Sequence, residues 1–155
     1  MTLTLLSLLF PLAIGINGQQ REFPLNIQRT TDLRFGSFIT GSTPGTVTIS
    51  PTGMRTATGG VTLVPTEPGR PATFVVRGKP YAPYLLDLPP EVIIHQDGHE
   101  LRLDQFKPFP DQGLLSGEFP QGRQIVHVGA TLHVKPNQRS GNYQFKFEVG
   151  VRPLD

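Results

Sequence analysis

A chain of 155 residues, 37% of them hydrophobic, holds enough apolar mass for one core of ordinary size, and it has no cysteine to staple that core or to serve as thiolate ligand, redox pair or nucleophile. Its 14 basic and 12 acidic side chains give a net charge of +2 with no run of one sign, which excludes a polybasic membrane patch and a strongly charged nucleic-acid groove. The 17 glycines and 16 prolines make about a fifth of the chain, and they are scattered between short apolar runs, the punctuation of an all-β protein.

Residues 1–18, MTLTLLSLLFPLAIGING, carry no charged side chain and are too short for a comfortable membrane span. They are expected to be a secretory signal peptide, with Gly18 as the small residue before cleavage and a mature start near Gln19; an uncleaved N-terminal anchor is the alternative. Residues 19–31 then form an N-terminal extension or strand, and residues 32–155 the β-sandwich domain. In REFPLNIQRTTDLRFG the apolar Phe23, Leu25, Ile27, Leu33 and Phe35 fall on odd positions, and Glu22, Asn26, Gln28, Asp32 and Arg34 on even ones. Alternation of that kind belongs to a strand with one buried face, although Pro24 brings no backbone donor and Arg29 and Thr31 interrupt the pattern.

GTVTIS (45–50) alternates next, with GSTPG before it and PTG after it as turn material. GGVTLVP (59–65) and ATFVVRG (72–78) are short β-branched runs, and YLLDLP begins at Tyr84. In EVIIHQDGHELRLDQF two apolar runs flank Asp97-Gly98, a pair suited to the positive φ angles of a two-residue hairpin turn. QIVHVGATLHVKP follows, and then GNYQFKFEVGVRP, where Tyr143, Phe145, Phe147, Val149 and Val151 share one face of a single expected strand. Glycine or proline recurs too often for three turns of helix, so the expected fold is an antiparallel immunoglobulin-like β-sandwich of about eight strands.

DLRFGSFITGS, GTVTISPTGMRTATGGVTLV, ATFVVRGKPYAPYLLDLPPEVIIHQDGHELRLDQF and VGATLHVKPNQRSGNYQFKFEV stand in the order seen in the bacterial domain-of-unknown-function 4402 family, which this chain resembles over nearly all of its mature length. The resemblance implies a secreted or surface immunoglobulin-like β-sandwich of a Gram-negative bacterium, without an established activity. LRFG also looks like the first strand of the spore coat U and alternative chaperone–usher pilin group, a shorter similarity. The stretch QFKPFPDQGLLSGEFPQGRQ departs from the small polar loop common in the first family, and RPLD runs on after its last strand.

Four histidines, His95, His99, His127 and His133, are the obvious metal candidates, but their spacing matches no ligand pattern, and no metal or cofactor is expected. Asp97, Glu100 and Asp104 lie along one hairpin as solvated acids, Asp111 and Glu118 sit in the long loop, and Ser116 has no recognisable base, so no catalytic residue and no enzyme activity is expected. Tyr81 and Tyr84, beside Lys79, could form a sugar platform, but a proline-stiffened connection with one tyrosine tucked against the sandwich accounts for them better. What remains is a secreted structural or adhesive surface subunit of a fimbria-like kind, located in the periplasm or on the cell surface. It would assemble with itself or related subunits by β-strand addition, with Phe23, Leu25 and Ile27 as interface residues. The alternative is a monomeric periplasmic or surface binding module that uses the 106–124 loop. Neither nucleic acid nor a transmembrane span in the mature chain enters either reading.

Overall fold

The computed structural model describes residues 22–96, 98–118 and 121–154. The expected signal peptide therefore lies outside the described residues, as does Asp97. The described chain is all-β, with eleven strands in antiparallel pairing: β1 (Asn26–Thr31), β2 (Leu33–Ile49), β3 (Arg55–Leu63), β4 (Ala72–Gly78), β5 (Pro83–Asp87), β6 (Glu91–Gln96), β7 (His99–Phe109), β8 (Gln112–Leu114), β9 (Gly122–Val134), β10 (Gly141–Phe145) and β11 (Gly150–Pro153). Eight belong to one large sheet, and β11, β5 and β8 form a small one, in that order.

The large sheet is organised around β9, whose Val126, Val128, Ala130, Leu132 and Val134 are buried on every second position. One edge of β9 is bonded to β4 from residue 122 to 128 and to β2 from residue 130 to 134, and its other edge carries β7. The β6–β7 hairpin pairs Gln96 with His99, leaving the expected two-residue connection, and Gly98 has the positive φ of 76° that such a turn demands.

Strand β2 differs from its sequence reading in an informative way. The expected turn at GSTPG is a bulge inside one 17-residue strand, where the register against β3 shifts between Thr40 and Gly45. Before the bulge β2 is bonded to β10, and after it to β9. Asn137 N–H donates to the Gly41 carbonyl at 2.8 Å, and the Thr40 hydroxyl donates to the Gln138 carbonyl, so the β9–β10 turn holds the bulge. β3 likewise begins at Arg55, earlier than the run from Gly59 suggested, because Arg55–Gly59 pair with Gly45–Ile49 in spite of their low hydrophobicity.

The strongest alternating segment is also divided. Tyr143 through Val151 keep the expected burial alternation, yet β10 ends at Phe145 in the large sheet and β11 begins at Gly150 in the small one, bonded to β5. Residues 146–149 carry the chain from one sheet to the other, and the side-chain alternation persists because both ends face the same core. Leu33, Phe35 and Phe38 from β2, Phe74 and Val76 from β4, Tyr84 and Leu86 from β5, and Leu101 and Leu103 from β7 meet the β9 row in that single core.

The loop between β3 and β4 is closed by one cation. Arg55 Nη1 donates to the carbonyls of Phe35 at 3.1 Å, Ser37 at 3.2 Å and Glu67 at 2.9 Å, while Nη2 donates to that of Val64 at 2.7 Å. Gly36 makes room for this arrangement: its φ is +73°, and a Cβ there would stand 2.2 Å from the Glu67 carbonyl oxygen and 2.4 Å from Arg55 Nη1.

Phe147, 5% exposed, packs its ring against Phe106 at 4.8 Å and Phe74 at 5.8 Å, in the segment that passes between sheets. Phe147→Ala is expected to cost roughly 3–5 kcal/mol of stability, from lost transfer energy and the cavity left behind. Lys146→Ala, on the exposed side of the same segment, is expected to cost well under about 1 kcal/mol. Urea denaturation of both variants checks this, and equal midpoints would contradict the inward placement of Phe147.

Candidate functional site

The feature with most functional content is the N-terminal edge. β1 is bonded to a single neighbour, β4, with Asn26 opposite Arg77, Ile27 opposite Val76, Gln28 opposite Val75 and Arg29 opposite Phe74. Pro24 lies just before the ladder begins, where no donor is needed, and its carbonyl accepts from Asn26 Nδ2 at 3.1 Å. Of the expected interface residues, Leu25 and Ile27 are half-buried against their own core, and Phe23 is half-buried in the segment leading to β1. Gly78 lets Leu25 approach, since a Cβ at that glycine would lie 3.2 Å from Leu25 Cδ1. The described strand thus completes its own sheet.

Only Asp32 separates β1 from β2, and at this point the chain leaves the edge beside β4 and joins β10. Two donors meet the Asp32 carboxylate: Arg29 Nε at 2.9 Å and Gln144 Nε2 at 2.9 Å. Arg29 also reaches the Phe147 carbonyl with Nη1 at 3.1 Å. The residue that interrupts the alternation in the sequence is therefore the clamp between the edge strand and the crossing segment. Along the seam lies a cavity of about 280 Å³, lined by Ile27, Gln28, Arg29, Phe74, Phe147, Glu148 and Val149.

The histidines do not converge. His127 Nδ1 is 3.2 Å from the Thr73 hydroxyl, His133 Nε2 is 2.8 Å from Asp104 Oδ1, and His95 and His99 lie on the two arms of the β6–β7 hairpin. Among the described residues no three His, Asp or Glu side chains are grouped so as to hold a metal ion. Asp104 is further engaged by Arg102 Nη2 at 3.0 Å, and Arg102 Nε bonds Glu91 at 3.0 Å, which makes a cross-strand network centred on a largely buried Asp104. Ser116 has a structural part: its hydroxyl accepts the Arg123 N–H at 3.1 Å.

Tyr81 and Tyr84 part company. Tyr81 is 70% exposed and has a φ of 58°, whereas Tyr84 is wholly buried in the core, so the two do not form one platform. The Tyr84 hydroxyl has no hydrogen-bond partner among the described residues. Burial in the first place, and the Asp111 carboxylate in the second, push its phenol above the ordinary value of 10.0.

Two antiparallel sheets around one core, with a singly bonded N-terminal strand at the edge of the larger, define an all-β sandwich. The chain belongs to the family described as Domain of unknown function (DUF4402), whose model matches residues 25–152. No curated protein and no solved structure matches it. The family match begins at Leu25, so it includes β1 together with the rest of the sandwich.

Because the folded-state phenol of Tyr84 ionises later than the unfolded one, the unfolded chain binds fewer protons above the ordinary tyrosine range, and stability falls as pH rises there. Tyr84→Phe removes both this loss and a buried hydroxyl without a partner. Its melting temperature is expected to be no lower than that of the parent at neutral pH. Between about pH 9 and about pH 11 it is expected to decline less, and thermal melts across that range check the point.

Proposed function

We propose that the protein is a non-catalytic, secreted structural subunit of a surface assembly, in the periplasm or on the surface of a Gram-negative bacterium, and that copies or related subunits join through the N-terminal strand. The observation that carries this reading is β1: an outermost strand bonded to one neighbour, separated from β2 in the chain by Asp32 alone, with Leu25 and Ile27 as its half-buried anchors. Main-chain pairing with β4 asks only for an extended segment with apolar side chains at alternate positions, and the same segment of a neighbouring subunit meets that demand equally well. Pairing within one chain is favoured by effective concentration, and exchange between chains becomes competitive at high subunit density. Among the described residues no helix is long and apolar enough to cross a membrane.

A second reading has one observation in its favour. Phe109, 65% exposed, and Leu114, 60% exposed, stand on the surface of the 106–124 region and would suit a monomeric module that binds through this loop.

Deleting residues 19–28 separates the possibilities. A folded monomer that no longer assembles is the result expected from donation, and loss of folding would show that the strand serves its own domain. A truncated protein that folds and assembles as before would overturn any role for the segment, and a parent protein that remains a monomer in size-exclusion chromatography at high concentration would favour the binding module.

A further inference from the structure

At the end of the sandwich where the β6–β7 hairpin meets the β9–β10 turn lies a cavity of about 360 Å³, within the size range of small-molecule sites. His99 and Leu101 come from β7, and Gln138, Arg139, Asn142 and Tyr143 from the turn and β10. The turn is built rigidly. Gln138 is 6% exposed, its side-chain oxygen accepts the Lys135 N–H at 3.0 Å, and Asn137 takes a positive φ of 54°. The Tyr143 hydroxyl donates to the Arg139 carbonyl, and the Tyr143 ring stacks on Phe38 with centroids 5.0 Å apart and planes 17° from parallel.

The chemistry of the wall is one-sided. Arg139 is a cation, His99 offers ring nitrogens and Asn142 an amide, and among the described residues no carboxylate lines the cavity. Gln138 Nε2 is buried and has no acceptor among the described residues, so it lies behind the wall and is not presented on it. Asn142 Nδ2 is 3.3 Å from Glu67 Oε2, and that acid is thus already engaged. The half-buried Tyr143 ring adds an apolar side, which suits the hydrophobic face of a sugar ring better than a bare inorganic anion.

We propose that this end cavity is a binding site for a carboxylate-bearing sugar, with Arg139 pairing the carboxylate, His99 and Asn142 bonding ring oxygens and hydroxyls, and Tyr143 lying against the ring. The site is remote in sequence from β1, and the inference stands whether or not the chain assembles through that strand.

The test is calorimetric titration of the full-length exported protein with an oligogalacturonate of defined length, with a neutral galactose oligosaccharide and inorganic phosphate as comparisons. Saturable binding of the uronate is expected, at least tenfold tighter than of the neutral sugar and not displaced by equimolar phosphate. Arg139→Gln is expected to weaken it at least tenfold, as is Ser140→Asp, which places a negative charge in the exposed wall. Thermal melts of both variants, expected to match the parent, separate lost binding from lost folding. Absence of saturable binding, equal affinity for the neutral sugar, displacement by phosphate, or binding that survives both substitutions in folded protein would each overturn the proposal.

Discussion

The ladder on both edges of β9 is the constraint from which the other positions follow. One edge is divided between β4 and the distal half of β2 and the other is taken by β7, so three separate segments must find register against one strand. A slip of one residue would turn Val126, Val128, Ala130, Leu132 and Val134 outward and bring Arg123, His127 and His133 into the core. Hydrophobic burial therefore sets the register of β9, and the register sets where the β6–β7 hairpin, the β2 bulge and the β4 edge lie. Since β4 already gives one edge to β9, its other edge is the place left for β1.

Period-two patterning made much of the fold legible. β4 occupies the same residues as the run ATFVVRG, Gly98 turns the chain between β6 and β7, and the burial of Phe145, Phe147 and Val149 follows their alternation. What the pattern could not convey is which partner each strand takes. A bulge within β2 and a true turn both draw on small and turn-forming residues, and GSTPG satisfies either description. Alternation through residues 141–151 likewise continues whether the strand stays in one sheet or crosses to another, because both sheets face one core. About eight strands were expected and eleven are present among the described residues, the excess arising from such divisions and from short strands such as β8.

The candidate sites show the same boundary between local and long-range information. Phe23, Leu25 and Ile27 announced an amphipathic strand, but nothing local indicated that Arg29 would reach across more than a hundred residues to the Phe147 carbonyl. The end cavity was equally hidden, for His99 and the 138–143 turn come together only through the β7–β9 and β2–β10 pairings. Edge strand and end cavity occupy different parts of the sandwich and present different chemistry, main-chain bonding in one case and a lining that holds Arg139, His99 and Asn142 in the other.

The way Arg55 is held has a consequence for the conditions this domain can endure. Carbonyl dipoles of Phe35, Ser37, Val64 and Glu67 receive its guanidinium, and no carboxylate takes part in these bonds. A clamp made from a carboxylate and a cation weakens when acid protonates the carboxylate or when salt screens the pair. Backbone carbonyls have no proton to gain over that range, and their contacts with the cation lie within hydrogen-bonding distance, where mobile ions intrude little. The β3–β4 loop is accordingly fastened by an attachment insensitive to acid and brine.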